Sequence, residues 1–375
     1  MIAKKLWSVH HLVSVWYVRD EKMTKIITLY NHKGGVSKTT TTFNLAHLLA
    51  ELGSNTLVID ADPQCNISEL MLAPTIADLD EKEQETGVEQ ALPGSSLLDI
   101  LKPRIEGDVP EINIDEADII QVGENLSLLR GDVSLSDIED ALAEAHIQRF
   151  SNKTHDKRTY VAFADFLKRL GEKEGYDYIL IDVGPSSGAL TRTCFLACDG
   201  FFVPSAPDRF NVQAVGTLSS IVSRWIAEHG QIYYNFQSLG LPVARGKPKF
   251  LGVILQNFKS YGGKPKKSYA LWMDRIPGRI ESKLLPAVRQ FSTNEWDLTC
   301  GLNARQSIVA KIPDFGSLAP LLQETGKPVF QLTPRDTRII NDGSEWAGKV
   351  WTQASERMDE YRAQLMHLVE RLDLI

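Results

Sequence analysis

The ten residues Asn31-His32-Lys33-Gly34-Gly35-Val36-Ser37-Lys38-Thr39-Thr40 join paired glycines, paired lysines and paired threonines in one short segment. An apolar run, Lys25 to Tyr30, leads into them and a helical pattern, Thr39 to Leu52, leads out. Strand, glycine loop and helix in this order bring loop N–H groups and the free amides of a helix start to one spot, which suits a polyphosphate. In such a loop the backbone of Gly34, Gly35, Val36 and Ser37 wraps the phosphates. Lys38 reaches the β and γ phosphates, and Thr39 offers its hydroxyl to Mg²⁺.

Two further apolar runs end in carboxylates. Residues 55–60 lead to Asp60 and Asp62 in an Asp-Ala-Asp-Pro-Gln sequence, and residues 176–181 lead to Asp182. Open parallel sheets bind ligands at the carboxyl ends of their strands, so these acids and the loop can meet at one edge. Transfer of a phosphoryl group to water builds negative charge on the transferring group. A site for it needs cations and a positioned water.

The loop departs from the common G-x-x-x-x-G-K-[ST] pattern, with His32 at the first glycine and Ser37 at the last, and carries Lys33 five residues before Lys38. It resembles the deviant Walker A motif of the ParA/MinD family, K-G-G-x-G-K-[ST]. Residues 60–64 look like that family's D-x-D-P-Q block, residues 176–186 like its Walker B block, and residues 326–329, Gly-Lys-Pro-Val, like its closing segment. The similarity runs from about Met23 to Phe330. It implies an α/β fold, a mostly parallel twisted sheet with helices on both faces, and an ATP hydrolase using ATP and Mg²⁺. By resemblance Lys33 reaches the nucleotide of a partner subunit, so Lys33, Lys38 and Asp62 are the catalytic residues, with Asp62 orienting the attacking water. Thr39 binds the metal, Asp182 acts on it through a water, and Asp60 supports the metal side. Thr40 falls to the α-phosphate, and Asn257, Pro313 and Asp314 fall where relatives hold adenine. An ATP-dependent homodimer with slow, partner-stimulated turnover follows, together with nonspecific DNA binding and a ParB-like or other adaptor. Ser37 is the discordant residue. A Cβ there costs about 1 kcal/mol if the backbone is left-handed. Its hydroxyl then points outward or adds one phosphate contact, and nucleotide binding is expected to survive.

At 375 residues, 43% hydrophobic and 24% charged, the chain has apolar material for a large α/β core. No apolar run is long enough to span a membrane, and four cysteines without a C-x-x-C pair favour free thiols in a reducing, cytoplasmic compartment, while the resemblance implies nucleoid association. Residues 1–22 are read as an N-terminal extension rather than a signal peptide, too short for a helix-turn-helix domain. Residues 23–335 form the ATPase domain, elaborated over 64–176, and residues 336–375 a C-terminal helix packed on it. Strands are predicted near 25–30, 55–60, 126–129, 178–182, 200–204, 250–256, 308–312 and 328–331. Helices are predicted near 38–52, 134–146, 160–172, 188–197, 212–228 and 345–372.

Residues 245–311 hold thirteen Lys and Arg against four acids, a local +9 within a chain of net −7. This reads as a basic patch able to meet DNA phosphates, with Lys264, Lys266 and Lys267 beside Gly262-Gly263 as first contacts. In the last helix Trp351, Ala354, Met358, Tyr361, Leu365, Leu368 and Leu372 make a heptad stripe whose polar side mixes acids with bases. That mixture disfavours the membrane attachment of MinD-type helices. Two alternatives stand beside the DNA-linked ATPase: a MinD-like positioning ATPase acting through a protein partner, and a redox or metal-cluster ATPase. The latter has only Cys194 and Cys198 to offer.

Overall fold

Central strands buried along their whole length require cover on both faces, and they receive it. In the computed structural model, which describes residues 23–148, 153–261 and 264–375, the strands are β1 (Lys25–Leu29), β2 (Thr56–Ala61), β3 (Ile120–Gly123), β4 (Leu126–Leu129), β5 (Tyr178–Val183), β6 (Gly200–Ser205) and β7 (Lys249–Phe258). A small hairpin, β8 (Ser260–Tyr261) and β9 (Lys264–Pro265), follows, and then β10 (Ile308–Pro313). Apart from the hairpin they form one sheet in the order β10-β7-β6-β1-β5-β2-β4-β3. Every neighbouring pair in it is parallel except β3 with β4. The expected α/β architecture is present.

Alternation along each strand divides the core. Ile27, Leu29, Val58 and Leu180 face one layer, and Ile26, Leu57, Ile59, Ile179 and Ile181 the other. The first layer is α1 (Lys38–Glu51), α2 (Asn66–Met71), α11 (Leu318–Thr325) and α12 (Gly348–Leu372). The second comprises α4 (Leu97–Glu106), α5 (Glu139–Ile147), α6 (Thr154–Glu174), α7 (Ala189–Ala197), α8 (Arg209–Ser238), α9 (Lys267–Arg279) and α10 (Leu285–Arg289). Between α2 and α4, α3 (Ala73–Thr86) holds the acidic stretch and buries none of its residues. In α12, Ala354, Met358, Tyr361, Leu365, Leu368 and Leu372 are buried in the first layer, so the heptad stripe faces the domain. Among the described residues no helix is long and apolar enough to cross a membrane.

Several predicted bounds change. Residues 328–331 are not a strand: Val329–Gln331 is a single 3₁₀ turn, because the Val329 N–H is taken by the Asn44 side chain of α1 at 2.8 Å and not by a neighbouring strand. The helix predicted over 134–146 divides into a 3₁₀ segment, Val133–Ile138, and α5. Helix α6 starts at Thr154 and α8 continues to Ser238, since buried residues such as Tyr160, Ile232 and Phe236 extend their apolar faces into a third cluster. The 64–176 elaboration contains α2 to α6 and both β3 and β4. The expectation for residues 1–22 and the Gly262-Gly263 pair lie outside the described residues.

The basic run is also rearranged. Arg245, Lys247 and Lys249 come at the start of β7, and Lys259, Lys264, Lys266 and Lys267 come after its end. Ten strand residues separate the two groups by about 33 Å. The basic residues that flank β7 therefore lie at its two opposite ends and do not make one patch.

Candidate active site

Strand β1 sits in the middle of the sheet, between β5 and β6, and the chain crosses from one side of it to the other after β5. Such a reversal of strand order opens a crevice at the carboxyl edge. The loop that follows β1 lies there, with Gly34 and Gly35 exposed and Lys38 at the start of α1. Asn31 fixes its entry: the side-chain amide donates to the Pro204 carbonyl at 2.8 Å, and its oxygen accepts the Lys33 N–H at 3.1 Å. The Lys38 ammonium donates to the Lys33 carbonyl at 3.2 Å, inside the loop. Burial holds the Lys38 pKa below its ordinary value, against the opposing pull of Asp182 and Asp62. Lys33 points elsewhere, its ammonium 5.0 Å from the ring centre of Phe210, an exposed residue in the first turn of α8.

Ser37 adopts φ 55°, ψ 35°, the left-handed conformation in which a side chain is costly. Its hydroxyl has a partner within the protein. It donates to Asn257 Oδ1 at 2.8 Å, and Asn257 Nδ2 in turn donates to the Gly35 carbonyl at 2.8 Å. The structure thus brings Asn257 to the loop itself. His32, at the other departure from the common motif, has a buried Nδ1 without a partner among the described residues. Burial first, then Lys33 and Lys38, keep the pKa of its ring below the usual value.

Parallel pairing of β2 with β5 sets Asp60 beside Asp182 in register. Asp182 is 1% exposed and accepts from the Thr39 hydroxyl through Oδ2 at 2.7 Å. Its Oδ1 is buried with no partner among the described residues. Burial, reinforced by Asp60, pushes its pKa up to about 8. Asp60 is engaged differently: Oδ1 accepts the Asp62 N–H at 3.1 Å, while Oδ2 accepts both the Ser68 hydroxyl at 2.6 Å and the Ser68 N–H at 3.1 Å. Ser68 Oγ also accepts the Gly131 N–H at 2.8 Å, so Asp60 ties the turn after β2 to α2 and to the end of β4. Asp62 is buried, its Oδ1 accepts the Gln64 N–H at 3.1 Å, and a side chain at Gly184 would place Cβ 3.0 Å from that same oxygen.

An unsatisfied buried carboxylate oxygen next to a threonine hydroxyl is what a divalent cation would complete, and a glycine loop entering a helix start with a buried lysine fits a polyphosphate. The residues present therefore fit Mg²⁺ and a nucleotide. The resemblance assigns Asp60 to the metal side; its Oδ1 holds the Asp62 N–H and its Oδ2 the Ser68 turn, so it also positions Asp62 and α2. Pro313 ends β10, and the Asp314 N–H donates to the Phe258 carbonyl at 3.0 Å, setting that corner beside Asn257. Thr40 opens α1 next to Thr39, and its carbonyl accepts from the Asn44 side chain at 2.7 Å. Lys266 and Lys267 are exposed at the start of α9. Ser68, Gly184 and Phe210 carry no signal in the sequence, because each acts through a neighbour that only folding supplies.

Cys194 and Cys198 are both buried, with Cys198 Sγ donating to the Cys194 carbonyl. Burial raises the pKa of both thiols. Among the described residues no group of three or more His, Cys, Asp or Glu is arranged to hold a metal ion.

Comparison with known proteins adds to this geometry. A family model described as an AAA domain matches residues 24–232. The sporulation initiation inhibitor protein Soj of Bacillus subtilis is 30% identical over 212 residues, covering 55% of this chain and 68% of Soj. An uncharacterized protein of Methanocaldococcus jannaschii is 32% identical over 190 residues, which span 51% of this chain and 62% of that protein. In three dimensions the chain superposes on protein DIP2308 of Corynebacterium diphtheriae with a TM-score of 0.60 at 23% identity, covering 82% of this chain and 98% of the other. It also superposes on the ATP complex of a Cyanothece McdA variant with a TM-score of 0.54 at 19% identity, covering 92% and 97%. These two likenesses concern the fold.

Proposed function

Because this chain belongs to the ParA/MinD/Soj-like family of deviant Walker-A P-loop ATPases, we propose that it is an ATP-driven positioning switch. It pairs with a second copy on binding ATP, holds DNA without sequence preference as a pair, and releases it on slow hydrolysis. The observation that carries this reading is the division of labour between two lysines. Lys38 is buried inside its own loop, whereas Lys33 leaves the loop and lies on an exposed ring at its rim, within reach of another molecule.

In the proposed mechanism Lys38 and the N–H groups at the start of α1 hold the β and γ phosphates. Thr39 and Asp182 would hold Mg²⁺, which would neutralise charge on the phosphate oxygens. Asp62, kept clear by Gly184, orients the attacking water. Lys33 of the partner subunit adds a cation to the charge that develops on transfer. Asp60 keeps Asp62 and α2 in place, and Pro313 with Asp314 bounds the base side. The basic group after β7, Lys264, Lys266 and Lys267, is the proposed DNA contact, and an adaptor of ParB type is the proposed activator. Cargo attached to DNA in the cytoplasm, at the nucleoid, then follows the switch.

Light scattering coupled to size exclusion tests this. With MgATP and hydrolysis blocked by D62A, the protein should run as a dimer, and adding K33A should return it to a monomer. A K33A/D62A protein that still pairs as well as D62A would remove the proposal. The cluster-carrying alternative has buried thiols against it, and one molar equivalent of iron in protein purified without air would revive it.

A further inference from the structure

The link between Ser37 and Asn257 joins two residues 220 positions apart in sequence, and both have left-handed backbone, with φ 55° and 57°. An L-residue holds that conformation only with local support, which asparagine draws more easily than serine from its short polar side chain. The geometry of the hydrogen bonds is reciprocal: the Ser37 hydroxyl gives its proton to Asn257 Oδ1, and Asn257 Nδ2 gives one to the Gly35 carbonyl. A single carboxamide thus spans residues 35 to 37, the stretch where the loop turns into α1 and where Gly35 is itself left-handed at φ 69°. Donor and acceptor roles are fixed by the partners, because a carbonyl can only accept and the hydroxyl has the proton to give.

We propose that Asn257 is the positioning residue that makes serine workable at the last place of this phosphate loop, holding Ser37 and Gly35 in the conformation that receives the phosphates. The assignment rests on reading the loop as a nucleotide site. It differs from a role on the base, because the amide nitrogen and oxygen of Asn257 both engage the loop. Glycine at position 37 needs no such support, so the requirement for Asn257 should disappear with the serine.

A double-mutant cycle read by calorimetry with MgADP decides this, since binding the diphosphate involves neither pairing nor hydrolysis. N257A should weaken MgADP binding about tenfold, the combined loss of one hydrogen bond and a strained turn. In the S37G background the loss should vanish, with S37G/N257A binding MgADP within about threefold of S37G. Unchanged affinity in N257A would overturn the inference. An equal loss in both backgrounds would overturn it too, because Asn257 would then act on the ligand directly. No MgADP binding by the unmodified protein would likewise end it. A protein that shows the expected cycle yet stays monomeric in ATP keeps this inference and loses the proposed function.

Discussion

Thr39 Oγ1 donates to Asp182 Oδ2 at 2.7 Å, fastening the first turn of α1 to the end of β5. This bond leaves Asp182 Oδ1 buried and unmatched among the described residues. A carboxylate in that position is strained electrostatically until a cation arrives.

The first prediction follows from that imbalance. Burial and the neighbouring Asp60 raise the Asp182 pKa from 3.8 to about 8 in the folded chain. A group with a raised folded-state pKa adds stability that is complete below its unfolded value and lost as pH climbs through the folded one. Ligand-free protein should therefore lose stability relative to D182N as pH rises from 3.8 to about 8. At pH 8, D182N should be more stable by about 1–3 kcal/mol. Urea titrations of both proteins across this range measure the difference, and parallel curves would contradict it. D182N should also lose Mg²⁺-dependent nucleotide binding.

Asp62 and Gly184 give the second. The Asp62 carboxylate lies where a Cβ on Gly184 would come within 3.0 Å of Oδ1 and 3.2 Å of Cγ. G184A should displace the carboxylate and lower kcat at least about tenfold, roughly the 1–3 kcal/mol of a misplaced polar group. MgADP affinity should stay within about threefold, since Lys38 and the loop are untouched. Steady-state phosphate release beside calorimetry separates the two quantities. Normal turnover in G184A would show that Asp62 does not position the water.

The third uses the division of the basic run. K264E/K266E/K267E should weaken retention of double-stranded DNA and flatten its dependence on salt by about one unit of slope for each phosphate no longer neutralised. R245E/K247E, at the other end of β7, should leave both unchanged. Filter binding over a salt series with ATP present distinguishes them. A loss confined to the Arg245 and Lys247 variant would place the DNA at that opposite end.

The chemistry was legible in the chain because it depends on local order. A strand, a glycine loop and a helix must be contiguous to make a phosphate site, so Gly34, Gly35, Lys38 and Thr39 identify it without a fold. The apolar runs ending in Asp62 and Asp182 were legible for the same reason, as were the heptad positions of α12. Relations between distant segments were not. Register between β2 and β5 set Asp60 next to Asp182, but only packing on α2 showed that Ser68 occupies Asp60. The 328–331 segment has a strand composition, yet Asn44 captures its N–H and turns it. Nothing in the order of residues 245–311 says that the charges flanking β7 lie at its opposite ends, because charge counts are one-dimensional and a ten-residue strand is not. Ser37 illustrates the limit most clearly. Its place in the loop is written in the sequence, whereas its left-handed backbone is held by a carboxamide that only the tertiary fold brings into hydrogen-bonding distance.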